Sequence, residues 1–122
     1  MANYYTLVPH PVGPFAALGP VERVVWGTIW ERFRLSEYHV TGGKDSWYDY
    51  DEDAIYCIYG QRELAAQVGV SERTIRRALD NLYEACLIDW RKADYKGACR
   101  YYFPRQVREY MAALRKDSRQ DA

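Results

Sequence analysis

Gly60–Phe103 reads GQRELAAQVGVSERTIRRALDNLYEACLIDWRKADYKGACRYYF, and its periodicity decides the fold. In Arg62–Val68, the residues Leu64, Ala65 and Val68 share one apolar face at helical spacing. Gly69 supplies the backbone freedom for a sharp turn. Val70 can plug the core from within that turn, and Ser71 is a good N-cap for a helix starting at Glu72. This second helix is expected over Glu72–Ala85, with Ile75, Leu79, Leu82 and Cys86 recurring as one buried stripe. Leu87–Ala93 and Cys99–Phe103 then read as two strands around a turn at Asp94–Ala98 that contains Gly97.

Two short helices, a tight turn and a following hairpin are the pattern of a winged helix-turn-helix. The class expected is α+β, mainly helical, with an extra N-terminal arm and a β-hairpin ahead of the helix-turn-helix. On a helical wheel Arg73 and Arg77 oppose the buried stripe, with Thr74 and Arg76 on its flanks. Cations at a helix N-terminus oppose the helix dipole, and the like-charge Arg73–Arg77 pair costs a further ~0.2–0.5 kcal/mol. Stability alone would place acids there, yet the acids of this face, Asp80 and Glu84, come later. The alternative is a solvated face on which Arg76 simply pairs with Asp80. In a winged helix-turn-helix the second helix is the one that enters the major groove, and that favours double-stranded DNA.

The candidate DNA-binding residues are therefore Ser71, Arg73, Thr74, Arg76 and Arg77, with Arg62 on the first helix and Lys92, Lys96 and Arg100 on the wing. Arg91 is a further wing cation. Strand alternation sends these side chains to two faces, so they do not all meet DNA. Lys96, at the tip, is the strongest of them.

At 122 residues the chain is expected to be one domain with a single core. Its 12 Tyr and 4 Trp imply either a core of large aromatics or an aromatic surface that meets something. Net charge is zero but unevenly spread. Residues 1–59 carry 4 Lys and Arg against 8 Asp and Glu, whereas residues 60–105 carry 9 against 6. That modest basic excess implies a few placed contacts, or two copies of the module. Cys57, Cys86 and Cys99 form no CxxC, and His10 and His39 are isolated. Buried free thiols in a reducing cytoplasm are expected, with no metal and no cofactor. No signal peptide or membrane span is read. Paired nucleophile and base, phosphate-cradling glycines and metal-ligand clusters are all missing, so an enzyme is not expected.

Residues 1–19 read as an arm and a Pro- and Gly-punctuated loop anchored by Phe15 and Leu18. The DNA-binding domain proper is expected over 20–115, with the helix-turn-helix at 62–86 and the wing at 87–103. Pro20 opens a helix running to about Tyr38. Val21, Val25, Thr28 and Ile29 form one of its faces, and Trp26, Trp30 and Phe33 an adjoining one, which serves either for packing or for a dimer. Arg23, Gly27, Glu31 and Arg34 point outward. A loop comes next over 37–46, then a strand–turn–strand over 47–59. The acids of its turn, Asp49, Asp51, Glu52 and Asp53, lack the spacing of a Ca²⁺ loop and read as solvated, facing away from DNA. Ile55–Tyr59 is expected to pair with the wing. A last helix at 105–115 presents Val107, Tyr110, Met111 and Leu114 on one side, and 116–122 reads as a frayed polar tail.

The run from about residue 4 to 103 resembles the N-terminal winged-helix domain of the replication initiator protein A family of Gram-positive (Firmicute) plasmids. The resemblance rests on the aromatic arm (Tyr4, Tyr5, Leu7), a first helix ending near Arg32–Leu35, the Trp47-led acidic hairpin running into IYCIYGQREL, and LAAQVGVSERTIRRALDNLYEACLI. It implies binding to repeated sites at a plasmid origin, as a dimer or higher assembly, to start replication. Matched by position, the recognition helix contributes Ser71, Arg73, Thr74, Arg76 and Arg77. The PHPVGPFAALGP loop departs from the family's pattern, and family members carry a separate C-terminal region. The chain is thus either a domain of a longer initiator, working with that region or with host replication proteins, or a free-standing DNA-binding protein. A winged-helix transcription regulator, and a protein-interaction winged helix without a DNA role, remain alternatives.

Overall fold

The computed structural model describes residues 8–43, 46–92 and 98–120. Among these it is α+β and mainly helical, with four α-helices and two small antiparallel sheets. The longest element, α1 (Pro20–Thr41), is the post around which the rest is packed. Val25, Trp26, Ile29, Trp30 and Phe33 of α1 are all within 2% of complete burial. Full burial of such a side chain is worth ~1.5–3 kcal/mol relative to exposure.

The rings of α1 form a continuous ladder. Trp26 stacks on Trp30 at 5.1 Å, Trp30 on Phe33 at 5.4 Å, and Phe103 meets all three from the far end of the sheet. The indole N–H of Trp26 donates to the Leu87 carbonyl at 3.0 Å, which satisfies its one polar atom inside the core. Trp26, Trp30 and Phe33 are thus a packing face, and the dimer alternative for them falls because no exposed ring is left to offer.

Gly27, expected to point outward, is buried as well. The helix also runs to Thr41, into the stretch 37–46 expected to form a loop, and closes at Gly42, whose N–H returns to the Tyr38 carbonyl at 3.1 Å. The helix formers Leu35 and Glu37 carry it past Arg34. Tyr38–Thr41, which have no strong helical preference, stay helical as its last turn.

Ahead of α1, a single 3-10 turn at Gly13–Phe15 tucks Phe15 against Trp26 at 4.7 Å, and Leu18 packs beside it. Gly13 has φ +58, and a Cβ there would lie 2.7 Å from the Tyr110 hydroxyl. That tyrosine belongs to α4 (Arg105–Gln120), which closes over the arm and buries Val107 and Met111, while Leu114 stays 44% exposed. The helical backbone continues to Gln120, so the tail expected to fray from residue 116 is helical for most of its length.

The short helices are α2 (Gln61–Val68) and α3 (Glu72–Glu84), joined by Gly69 at φ +85. The Gly69 N–H closes α2 on the Ala65 carbonyl at 2.8 Å. The end of α3 differs from expectation. Cys86 is not on the buried stripe; it is exposed, past the helix, at φ +59. Its N–H bonds the Tyr83 carbonyl and that of Leu87 bonds Leu82, each at 3.0 Å. This paired closure calls for a left-handed residue at the position Cys86 occupies. Leu87 then takes the buried place that the periodicity assigned to Cys86.

Three strands, β3 (Cys57–Gly60), β4 (Asp89–Lys92) and β5 (Ala98–Tyr102), form a sheet in the order β3-β5-β4. Cys57 lies opposite Tyr101 and Tyr59 opposite Cys99, and these four side chains face the helices and are buried. Burial pushes the Cys57 thiol up to about 12, which keeps it neutral and inert. The remaining pair, β1 (Tyr48–Asp49) and β2 (Ala54–Ile55), makes the hairpin expected from its acidic turn.

Candidate nucleic-acid interface

Helix α3 is sharply two-sided. Ile75, Ala78, Leu79 and Leu82 are buried, while Arg73, Arg76, Arg77, Asp80, Tyr83 and Glu84 are exposed. Ser71 caps it: its hydroxyl accepts the Thr74 N–H at 3.1 Å and lies 3.0 Å from the Thr74 hydroxyl. The cap fixes where the helix begins, and with it the direction in which the arginines project. None of the described residues hydrogen-bonds or ion-pairs with the side chains of Arg73, Arg76 or Arg77. The Arg76–Asp80 pair, which would have made this an ordinary solvated face, does not form. Arg62, on α2, is likewise exposed and without a partner among the described residues.

The sheet arginines are differently placed. Arg91 on β4 and Arg100 on β5 lie directly opposite one another, on the sheet face away from the helices. The β1–β2 hairpin covers that face. Its Asp49 carboxylate takes the N–H groups of Asp51 and Glu52 at 3.0 and 3.2 Å with one oxygen, which shapes the turn. The other oxygen takes the Tyr102 hydroxyl at 2.8 Å and the Arg100 guanidinium at 3.5 Å. Glu52 reaches across to Arg91, which also has Asp89 at 3.8 Å. Arg100 lies 4.5 Å above the Tyr56 ring. The Tyr102 hydroxyl, followed by the Glu52 N–H, holds the Asp49 carboxyl below the usual carboxylate range. Tyr102 itself is pushed up, chiefly by burial and then by its bond to that carboxylate.

These contacts correct two expectations. Arg100, assigned to DNA, is committed within the molecule, because alternation along β5 turns it away from Cys99 and Tyr101 toward the hairpin. The acidic turn is not simply solvated, since two of its four acids bind the sheet. Lys96 lies outside the described residues, as does the side chain of Lys92, whose backbone position is opposite Cys99. Of the sites proposed from sequence, the structure thus gathers Ser71, Arg73, Thr74, Arg76 and Arg77 on one helix end.

A clamp not foreseen in the sequence sets α2 against α1. Arg32 makes a two-pronged pair with Glu63 at 3.0 and 3.1 Å, donates to the Ile58 carbonyl at 3.2 Å, and lies 3.6 Å above the Tyr59 ring. Nothing local signals it, because its groups come from three separate elements. Between α3 and β4 lies a recess of about 430 Å³ lined by Asp80, Tyr83, Asp89, Trp90 and Arg91. No group of three or more metal-ligating side chains occurs among the described residues. No helix among them is long and apolar enough to cross a membrane.

No protein-family model and no curated protein matches the chain. Solved structures do match it in fold. A chain of a Rep–DNA complex superposes with a TM-score of 0.60 at 15% identity, over 84% of this chain and 75% of that one. The N-terminal domain of a DNA-binding protein gives 0.59 at 14% identity, over 93% and 88%. An MDR initiator gives 0.60 at 16% identity, over 84% and 77%. At such identities the likeness is one of fold.

Proposed function

We propose that this chain is a winged helix-turn-helix module that binds double-stranded DNA through the N-terminal half of α3 to initiate replication. The observation that carries the reading is the set of partnerless arginines, Arg73, Arg76 and Arg77, on the outer side of a capped helix whose inner side is packed. Arginine presents a planar fork that matches the two acceptors on the major-groove edge of guanine. Three unpaired guanidinium groups near a positive helix end are unfavourable alone and favourable against a polyanion. Replication, rather than DNA binding in general, is supported by the names of two of the matching structures, a Rep–DNA complex and an initiator.

On this reading α3 enters the major groove, while Ser71, Thr74 and the free N–H groups at the start of α3 hold phosphate. Arg62 adds a flanking backbone contact, and the β4–β5 pair is the wing. The targets are repeated sites of a plasmid origin, read by two copies of the module in the cytoplasm. The reading assigns the chain no catalytic step and no cofactor. The sequence resemblance makes that plasmid one of the Firmicute kind.

Selection from a random duplex pool, repeated across salt concentrations, tests the proposal. An enriched motif bound with a steep salt dependence is expected. The absence of both enrichment and salt-sensitive retention would contradict DNA binding. A motif that maps to promoters and not to an origin would instead make the same module a transcription regulator.

A further inference from the structure

The hairpin ahead of α2 has no part in the α3 contacts, yet it is built in detail. Asp49 is its anchor, tied by one oxygen to its own turn and by the other to Tyr102 and Arg100 of β5. The anchor sets Glu52 onto Arg91 of β4, the edge strand. Arg91 also lines the recess between β4 and the C-terminal half of α3, together with Asp80 and Tyr83. Without Glu52, Arg91 would keep, among the described carboxylates, only the longer 3.8 Å contact to Asp89, and its guanidinium, on an edge strand of the proposed wing, would be open to any phosphate backbone, whatever the sequence. Such contacts raise binding to all DNA and carry no sequence information.

We propose that Glu52 is a specificity determinant: held on Arg91 by the Asp49 anchor, it withholds a phosphate contact that unrelated DNA would otherwise enjoy. The inference rests on the DNA-binding reading above. Discrimination is a difference of affinities, and it improves when non-specific binding is weakened as well as when specific binding is strengthened. The Glu52–Arg91 pair is half-exposed on both sides, with side chains 41% and 50% accessible, so it contributes little to stability. Its effect falls on the charge available to DNA. Asp49 acts here as a positioning residue.

The test compares Glu52→Gln with Asp51→Asn, which removes the same charge from the same turn without touching Arg91. Each is made in the native chain and in an Arg91→Gln background, and binding to an enriched and an unrelated duplex is followed across salt. Thermal unfolding confirms that each variant is folded. Glu52→Gln in the native chain should raise affinity for unrelated duplex severalfold and steepen its log–log salt slope by about 0.9, one extra phosphate contact. The ratio of specific to non-specific affinity should fall. Asp51→Asn should do distinctly less, and the excess should vanish in the Arg91→Gln background. Equal effects of the two substitutions in both backgrounds would overturn the proposal while leaving DNA binding intact. A native chain without salt-dependent binding would instead remove the DNA-binding reading itself.

Discussion

Two groups of arginines, within thirty residues of one another, do opposite things. The side chains of Arg73, Arg76 and Arg77 on α3 have no hydrogen-bond or ion-pair partner among the described residues and stand over a packed helix. Arg91 and Arg100 on the sheet are each held by a carboxylate and lie above a tyrosine ring. The residue type is the same and the local sequence is basic in both places. What separates them is whether the fold brings a carboxylate within pairing distance. The lesson is that a cation's availability is a tertiary property. The sheet arginines serve the molecule's own architecture, and those of α3 are left for something else.

Binding and stability should therefore respond in opposite patterns. Each Arg→Ala change at 73, 76 or 77 should weaken specific DNA binding by about 1–3 kcal/mol where that residue reads a base. Urea unfolding should show little change, because no intramolecular partner is lost. Ser71→Ala should cost about 1 kcal/mol of stability through loss of the cap. It should weaken binding as well, since the cap sets the start of α3. Arg100→Ala should show the reverse of the α3 pattern, with specific affinity retained and stability lowered by ~0.5–1 kcal/mol for the lost contact with Tyr56. If Arg100→Ala instead abolished binding at unchanged stability, the division between the two groups would be wrong.

The smallest effect expected is one of pH. Asp49 and Glu63 are both held below the ordinary carboxylate range, by the Tyr102 hydroxyl and by Arg32 respectively. The unfolded chain therefore binds more protons than the folded one at acid pH, and stability rises with pH there. Their contribution is complete above the ordinary values of about 4 and is lost as pH falls through the depressed ones. Asp49→Asn should flatten this acid limb in urea midpoints measured down to about pH 3. An unchanged limb would mean that the hairpin anchor has no energetic weight.

Periodicity and turn chemistry made much of this legible in advance. The stripe of Ile75, Leu79 and Leu82, the Ser71 cap and the Gly69 turn are readable from local spacing; of the strand expected over Ile55–Tyr59, the part from Cys57 pairs with β5, while Ile55 pairs back with Tyr48 in the preceding hairpin. What local spacing missed has two causes: where a helix closes, and which distant groups arrive at a face. Cys86 fits the heptad-like stripe, but the helix closes on Leu82 and Tyr83 first and turns that residue outward. Tyr38–Thr41, in the stretch expected to form a loop, remain helical as the last turn of α1. Arg100 lost its assignment to DNA because Asp49, fifty-one residues earlier in the chain, arrives at the same sheet face. The Arg32–Glu63 clamp spans thirty-one residues and has no local mark at all.

The most direct test of the central claim is the affinity of the Arg73→Ala, Arg76→Ala, Arg77→Ala triple variant for the duplex enriched by the native chain. It should be measured beside an unrelated duplex, with unfolding followed in parallel. The account predicts a folded variant of near-native stability that no longer prefers the enriched duplex and has a shallower salt slope. A folded variant that binds the enriched duplex as tightly as the native chain would contradict it.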